Sequence, residues 1–236
     1  MLFILSSNCY AQILDFRIVS LKNIGKIPVP NILDTLGQRA FKTVRLEEVK
    51  EHLDSIQFKT SYQIRLAQLI ESRYDTAVTI FLPTKVIFDI LDSLSTSSFS
   101  DENQPETVWA PTILIQKKKF KYHSKEMQKV VADPSNRESI TKRIGSAYFD
   151  VIKNLLPEMV ITDTSTSFFW YMTKYPVVKL KVTYHVKDFP NKSYVQNVFS
   201  IYKDYFNYYI RFEFSQEQEK EWKSFESVFF ANLKVF

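Results

Sequence analysis

From Val178 onward the chain alternates strictly. Val178, Leu180, Val182, Tyr184 and Val186 are apolar, and Lys179, Lys181, Thr183, His185 and Lys187 stand between them. Successive side chains of an extended chain point to opposite sides, so a period of two marks a strand with one buried and one wet face. Asp188-Phe189-Pro190-Asn191 has the residues of a turn. Tyr194–Tyr202 reads as the return strand, rich in β-branched and aromatic residues. After the polar break Lys203-Asp204, Phe206, Tyr208, Ile210, Phe212 and Phe214 line one face of a third strand. Tyr205, Asn207, Tyr209, Arg211 and Glu213 line its other face. Links this short predict an antiparallel meander, because parallel neighbours need a long crossover.

Ser215-Gln216-Glu217-Gln218 has the spacing of a capping box, which opens a helix. That helix carries Trp222, Phe225, Phe229 and Phe230 on one stripe. Burying each ring is worth about 1.5–3 kcal/mol, so the stripe is expected to lie on the meander. Leu233, Val235 and Phe236 predict a short closing strand at an edge.

Three pieces of this ending carry a resemblance: Tyr208-Tyr-Ile-Arg-Phe-Glu-Phe-Ser, Trp222-Lys-Ser-Phe-Glu and Asn232-Leu-Lys-Val-Phe236. They are similar to the close of PsbP-like proteins, relatives of an extrinsic photosystem subunit that include exported bacterial members. There a Y-x-I/L-x-F strand precedes a helix and a closing S-F-K-type strand. Ile24-Gly-Lys-Ile-Pro-Val-Pro is similar to the proline-bearing start of the bacterial members. Ala231 stands where the family has serine before Asn-Leu-Lys. The resemblance implies an α/β/α sandwich and an accessory or scaffolding role. It consists of fold signatures, and no functional residue carries over.

Elsewhere Ile13–Leu21 predicts a first strand, and the two prolines of Ile24–Pro30 predict an edge or loop, since proline removes a ladder donor. Leu46–Leu53 predicts a short helix, Ile56–Ile64 and Tyr74–Leu82 two strands, and Pro83-Thr84 the start of another helix. Residues 93–107 are a polar loop. Thr112–Gln116 is an apolar strand running into Lys117-Lys118-Lys119-Phe120-Lys121, read as a strand end or an edge guarded by lysines. Met127–Ala132 is read as a short helix or an extended piece. A second capping box, Ser135-Asn136-Arg137-Glu138, opens the best-patterned helix, with Ile140, Ile144, Tyr148 and Val151 on one face. Pro157 ends it. Met159–Thr162 predicts a short strand, Asp163-Thr-Ser-Thr a polar turn, and Phe168–Met172 a central strand covered on both faces, or else an exposed partner patch.

The fold class is therefore α+β, an antiparallel sheet with helices packed on its faces. Residues 12–236 are expected to form one domain. Met1–Ala11 resembles the remnant of a signal peptide, a short apolar core ending in Cys9-Tyr10-Ala11. That points to export to the periplasm, cell surface or medium; without it the chain is cytoplasmic. No stretch approaches the apolar length of a transmembrane helix.

Only 3 glycines occur in 236 residues, far below the usual share of about 7%. Gly25, Gly37 and Gly145 form no phosphate-cradling or nucleophile-elbow motif. His52, His123 and His185 have no metal-ligand spacing. No catalytic, metal or cofactor-binding residue is assigned, and no cofactor is implied. The leading reading is an exported, non-enzymatic accessory or binding module that meets a protein or apolar ligand. Tyr205, Tyr209, Lys117, Lys118, Lys119 and Lys121 are the candidate contact residues. Two alternatives stand beside it. One is a hydrolase or transferase with a dispersed site. The other is a weak binder of anionic surfaces or nucleic acid through Lys117–Lys121, favoured by the net charge of +5. Nucleic acid ranks below a protein or apolar ligand.

Overall fold

The computed structural model describes residues 14–35, 78–83, 111–155 and 159–235. Among these residues ten strands and three α-helices follow in chain order: β1 (Phe16–Leu21), β2 (Gly25–Pro30), β3 (Leu33–Thr35), β4 (Val78–Pro83), β5 (Thr112–Lys119), α1 (Ser124–Ala132), α2 (Pro134–Leu155), β6 (Met159–Tyr171), β7 (Tyr175–Val186), β8 (Phe189–Lys203), β9 (Phe206–Ser215), α3 (Glu219–Asn232) and β10 (Lys234–Val235). A 3-10 turn, Gln216–Gln218, precedes α3. All strand pairs are antiparallel, and the class is α+β.

The large sheet has the order β3-β4-β5-β9-β8-β7-β6. Its second half is the meander expected from the alternation, extended by one strand. The chain leaves β5, crosses through α1 and α2 to the far edge, and winds back until β9 meets β5. Thr112 to Lys119 run opposite Glu213 to Phe206.

One face of this sheet receives α3. Phe214 stacks on Trp222 at 5.2 Å between centroids and 5° between planes. Phe212 meets Phe229 edge-on at 4.8 Å. Trp222, Phe225 and Phe229 are buried, and Ile27, Val29, Leu33, Leu233 and Val235 close the same core. The second sheet, β1-β2-β10, thus shares its apolar cluster with the first. The opposite face carries Leu180, Val182, Tyr184 and Val198, with Tyr148 and Phe149 of α2 packed against them.

Helices on both faces leave little room for a wet side. Lys179 and Lys181 of β7 were expected in water. Instead Lys179 Nζ lies 2.7 and 2.8 Å from the carboxylate of Glu226, and Lys181 pairs with Glu219. The two α3 glutamates accept the lysines that the alternation set on this face.

Several local expectations are corrected. Ser215 makes no side-chain cap bond; the chain enters α3 through the 3-10 turn, with Gln218 at the cap position. Ser135 does not cap α2 either. Asp133 does so from two residues earlier, its Oδ1 accepting from Ser135 N at 2.9 Å, with Pro134 as the first helical residue. Glu138 pairs with Lys142 along the helix at 2.7 Å. β5 is an interior strand, so its lysines mark a strand end and not an edge. β2 is the middle strand of the small sheet, although it holds Pro28 and Pro30. β10 pairs only with Lys26 and Gly25, so the prolines sit beyond its reach. Gly25 has φ of +142°, and a Cβ there would lie 1.9 Å from the Lys234 carbonyl oxygen. Only glycine lets β10 dock.

The largest correction concerns β6. Met159–Thr162, the supposed turn and Phe168–Tyr171 are one 13-residue strand with an irregularity between Ile161 and Asp163. Among the described residues it is the sheet's edge, and it is not covered twice: Trp170 is 37% exposed and Met172, just past it, 58%. The β6–β7 turn places two non-glycine residues, Met172 and Thr173, at φ of 51° and 55°. The expected signal segment Met1–Ala11, the Leu46–Leu53 helix, the Ile56–Ile64 strand, the helix after Pro83 and the loop 93–107 lie outside the described residues.

Candidate functional site

The β5–β9 pairing brings the lysine run beside the β8–β9 turn. Lys117, Lys118 and Lys119 stand opposite Tyr208, Asn207 and Phe206. Backbone bonds then stitch the turn to the segment that leads into α1. Phe120 N donates to Tyr205 O at 2.7 Å, and Ser124 N donates to Asp204 O at 2.6 Å. Asp204 N donates in return to Ser124 Oγ at 3.0 Å. Asp204 has φ of 53°, a left-handed conformation that aspartate tolerates better than most residues.

An aromatic layer fixes this corner. Phe120 lies 5.0 Å from Tyr202 and 6.0 Å from Tyr122. His123 caps α1 by accepting from Lys125 N at 3.0 Å, and its ring meets Tyr205 edge-on at 4.8 Å. Tyr205 and Tyr122 remain 53% and 49% exposed. Lys121 Nζ sits 5.4 Å over Tyr122.

The lysines divide by role. Lys117 is structural: its Nζ donates to Asn23 O at 2.9 Å and lies 4.2 Å over Phe206. Desolvation, and then the neighbouring charge of Lys203, pulls its pKa below the ordinary 10.5. Lys118, Lys119 and Lys121 are exposed, and none has a carboxylate partner among the described residues. Five of the six candidate residues thus lie at one end of the β5–β9 pair, Lys118 on the opposite face from Lys117 and Lys119. Tyr122, Phe120 and His123 belong there too. The run Lys117–His123 held them in plain view, but only the fold shows that Tyr205 completes the set.

Tyr209 is elsewhere. It faces α2 and heads a buried polar chain. Its hydroxyl donates to Tyr148 Oη at 3.2 Å, which donates to Gln196 Oε1 at 2.9 Å. Gln196 Nε2 donates to Glu213 Oε1 at 3.0 Å, and Tyr184 donates to the same oxygen. Arg211 Nη2 lies 3.7 Å from Glu213 Oε2. Glu213 and Gln196 have no exposed surface. Burial, with a further push from Tyr209, holds the Tyr148 phenol well above its ordinary range, and burial likewise raises Tyr209. Burial alone would lower Arg211, but the Glu213 carboxylate and then the phenols outweigh it and hold the guanidinium charged. Phenols held neutral are donors, not bases or nucleophiles, at neutral pH. The arrangement orients groups and offers no proton acceptor except Glu213, which is engaged. Among the described residues no three His, Cys, Asp or Glu side chains gather to hold a metal ion. Nor is any helix among them long and apolar enough to cross a membrane.

No protein-family model matches this chain, and no curated protein is significantly similar to it.

The raised phenols predict a pH dependence. Tyr148, Tyr171, Tyr202, Tyr208 and Tyr209 all lie above the ordinary 10.0, with Tyr171 and Tyr208 pushed up to about 12, chiefly by burial. Between these values the folded chain keeps protons that the unfolded chain has lost. Their contribution to stability is therefore whole below about pH 10 and is lost as pH rises towards about 12. Thermal melts are expected to drop across that window, with tyrosinate absorbance appearing together with unfolding. Melts that stay level from pH 10 to 12 would count against this placement of the phenols.

Proposed function

We propose that this chain is an exported, non-enzymatic accessory module that engages an acidic segment of a partner protein through the Lys118–Lys119–Lys121–Tyr122–Tyr205 corner. The observation that carries the reading is the corner itself. Two half-exposed tyrosines, one with Lys121 over its ring, stand on a hydrogen-bonded base at the end of β5, where Lys118, Lys119 and Lys121 are exposed with no carboxylate partner among the described residues. Charge steers an acidic partner to such a surface, and exposed tyrosine rings supply contact area at little entropic cost. The PsbP-like resemblance of the last residues supports an accessory role, and the Met1–Ala11 pattern supports export. The interaction with nucleic acid uses the same cations and is separated by the test.

The test is titration with a polyglutamate peptide and, in parallel, with a single-stranded oligonucleotide at matched ionic strength. The variant K118E/K119E/K121E is expected to bind the peptide at least ten times more weakly. Its melting temperature should barely move, because surface changes of this kind stay within about 0.5 kcal/mol. Y122A/Y205A should weaken the salt-resistant part of the affinity. Peptide binding unchanged in the lysine variant sinks the proposal. Tighter binding of the oligonucleotide, with the steeper salt dependence, transfers the site to nucleic acid.

A further inference from the structure

The edge strand β6 has a feature that the basic corner does not explain. Six consecutive residues, Thr162 to Ser167, are exposed, although α2 reaches this stretch where Gly145 lies against Thr166. Among the described residues β6 pairs only with β7. Its outer backbone N–H and C=O groups are therefore a template for another strand. Edges of soluble proteins are ordinarily blunted by lysine, proline or brevity. β6 runs 13 residues with no lysine or proline, and Asp163 is its single charge.

We propose that two copies of this chain pair antiparallel through β6, about a two-fold axis at Ser165, and join their large sheets into one. The register is selected by the sequence of the edge. With the axis at Ser165, Thr164 faces Thr166 of the second copy, and hydroxyl pairs of this kind are favourable across strands. Asp163 faces Ser167, so the acid meets a hydroxyl and not itself. Beyond the irregularity, Ile161 falls opposite Phe168, a β-branched side chain against an aromatic ring; both are half-buried in the single chain. An axis at Asp163 sets like charges face to face. An axis at Thr166 sets the acid against Phe169. An axis at Thr164 sets Ile161, beyond the irregularity, against Thr166 and loses its aromatic partner. Of these four axes Ser165 alone avoids all three faults.

A strand-edge contact is small, so the dimer is weak and depends on concentration. Sedimentation velocity on the full chain, up to on the order of 100 µM, is expected to show the mass rising from 27.8 kDa towards twice that value. In a Cys9→Ser background, Ser165→Cys is expected to cross-link as a symmetric disulfide under mild oxidation, because the axis sets the two side chains directly opposite each other. Ser20→Cys, exposed on β1, is the control that should not cross-link. D163K/S167K places lysine against lysine and is expected to weaken the dimer at least tenfold. D163K/S167D sets lysine against aspartate in the same register and should recover it. A mass that stays at the monomer throughout overturns the proposal. So does a dimer indifferent to both charge variants, since it would use another surface.

Discussion

Trp222→Ala is expected to destabilise the protein by about 3–5 kcal/mol, the range for emptying a buried large aromatic site. The site cannot collapse easily. Trp222 is 1% exposed, parallel to Phe214 and flanked by Phe212 at 5.8 Å and Phe225 at 5.7 Å. Those rings belong to both α3 and β9, so the void would open between helix and sheet. A domain of ordinary stability, about 5–15 kcal/mol, would lose a large part of its margin. Trp222→Phe separates volume from polarity. The indole Nε1 is buried with no hydrogen-bond partner, so removing it forfeits no bond. The phenylalanine variant is therefore expected to cost less than about 1.5 kcal/mol, in the manner of a near-conservative swap. Urea unfolding followed by circular dichroism measures both. If the alanine variant unfolds within 1 kcal/mol of the parent, α3 does not rest on the sheet as described.

The meander and its helix were legible because each signal was local and repeated. Phe206, Tyr208, Ile210, Phe212 and Phe214 alternate through the whole of β9, and Trp222, Phe225 and Phe229 recur at helical spacing. The same alternation misjudged what covers the other face. A period of two distinguishes two faces, but it does not say that helices lie on both. Arg211 and Glu213 share the polar side of the β9 alternation, and the fold buries them on the face that α2 covers. β6 was misread because propensity spoke louder than pairing. Asp163-Thr-Ser-Thr has turn composition, yet it is held in register by Thr183, Val182, Lys181 and Leu180 of β7. The caps failed more simply: an acid at Asp133 competes with Ser135 and wins by position.

The candidate corner was half legible. Basic residues interleaved with aromatics at Lys117–His123 form a contiguous signal, and β5 ends where that signal begins to be exposed. Tyr205 shares with Tyr209 the face opposite Phe206 and Tyr208 in the alternation. That Tyr205 joins the lysines, while Tyr209 turns inward, depends on the β8–β9 turn docking against the start of α1. Contacts between Asp204 and Ser124, eighty residues apart, leave no trace in local pattern.

Glu213→Ala tests whether the inward chain is a structural lock. The carboxylate is the common acceptor for Tyr184 and Gln196 and the counter-charge of Arg211. Removing it leaves a buried guanidinium uncompensated and two donors without their acceptor, which is expected to cost about 3–5 kcal/mol. Glu213→Gln keeps the shape and one acceptor oxygen but loses the charge, and it should fall between the alanine variant and the parent. Arg211→Met with Glu213→Leu removes the charges together and is expected to recover part of the loss, because apolar replacement of a buried pair is often neutral. The recovery stays partial, since Tyr184 and Gln196 still lack their acceptor. Urea midpoints of the parent and these three variants give the ranking. An alanine variant as stable as the parent would mean that the carboxylate is not needed to hold β8, β9 and α2 together. The buried Tyr148–Gln196–Glu213 chain would then be the place to search for a ligand, ahead of the basic corner.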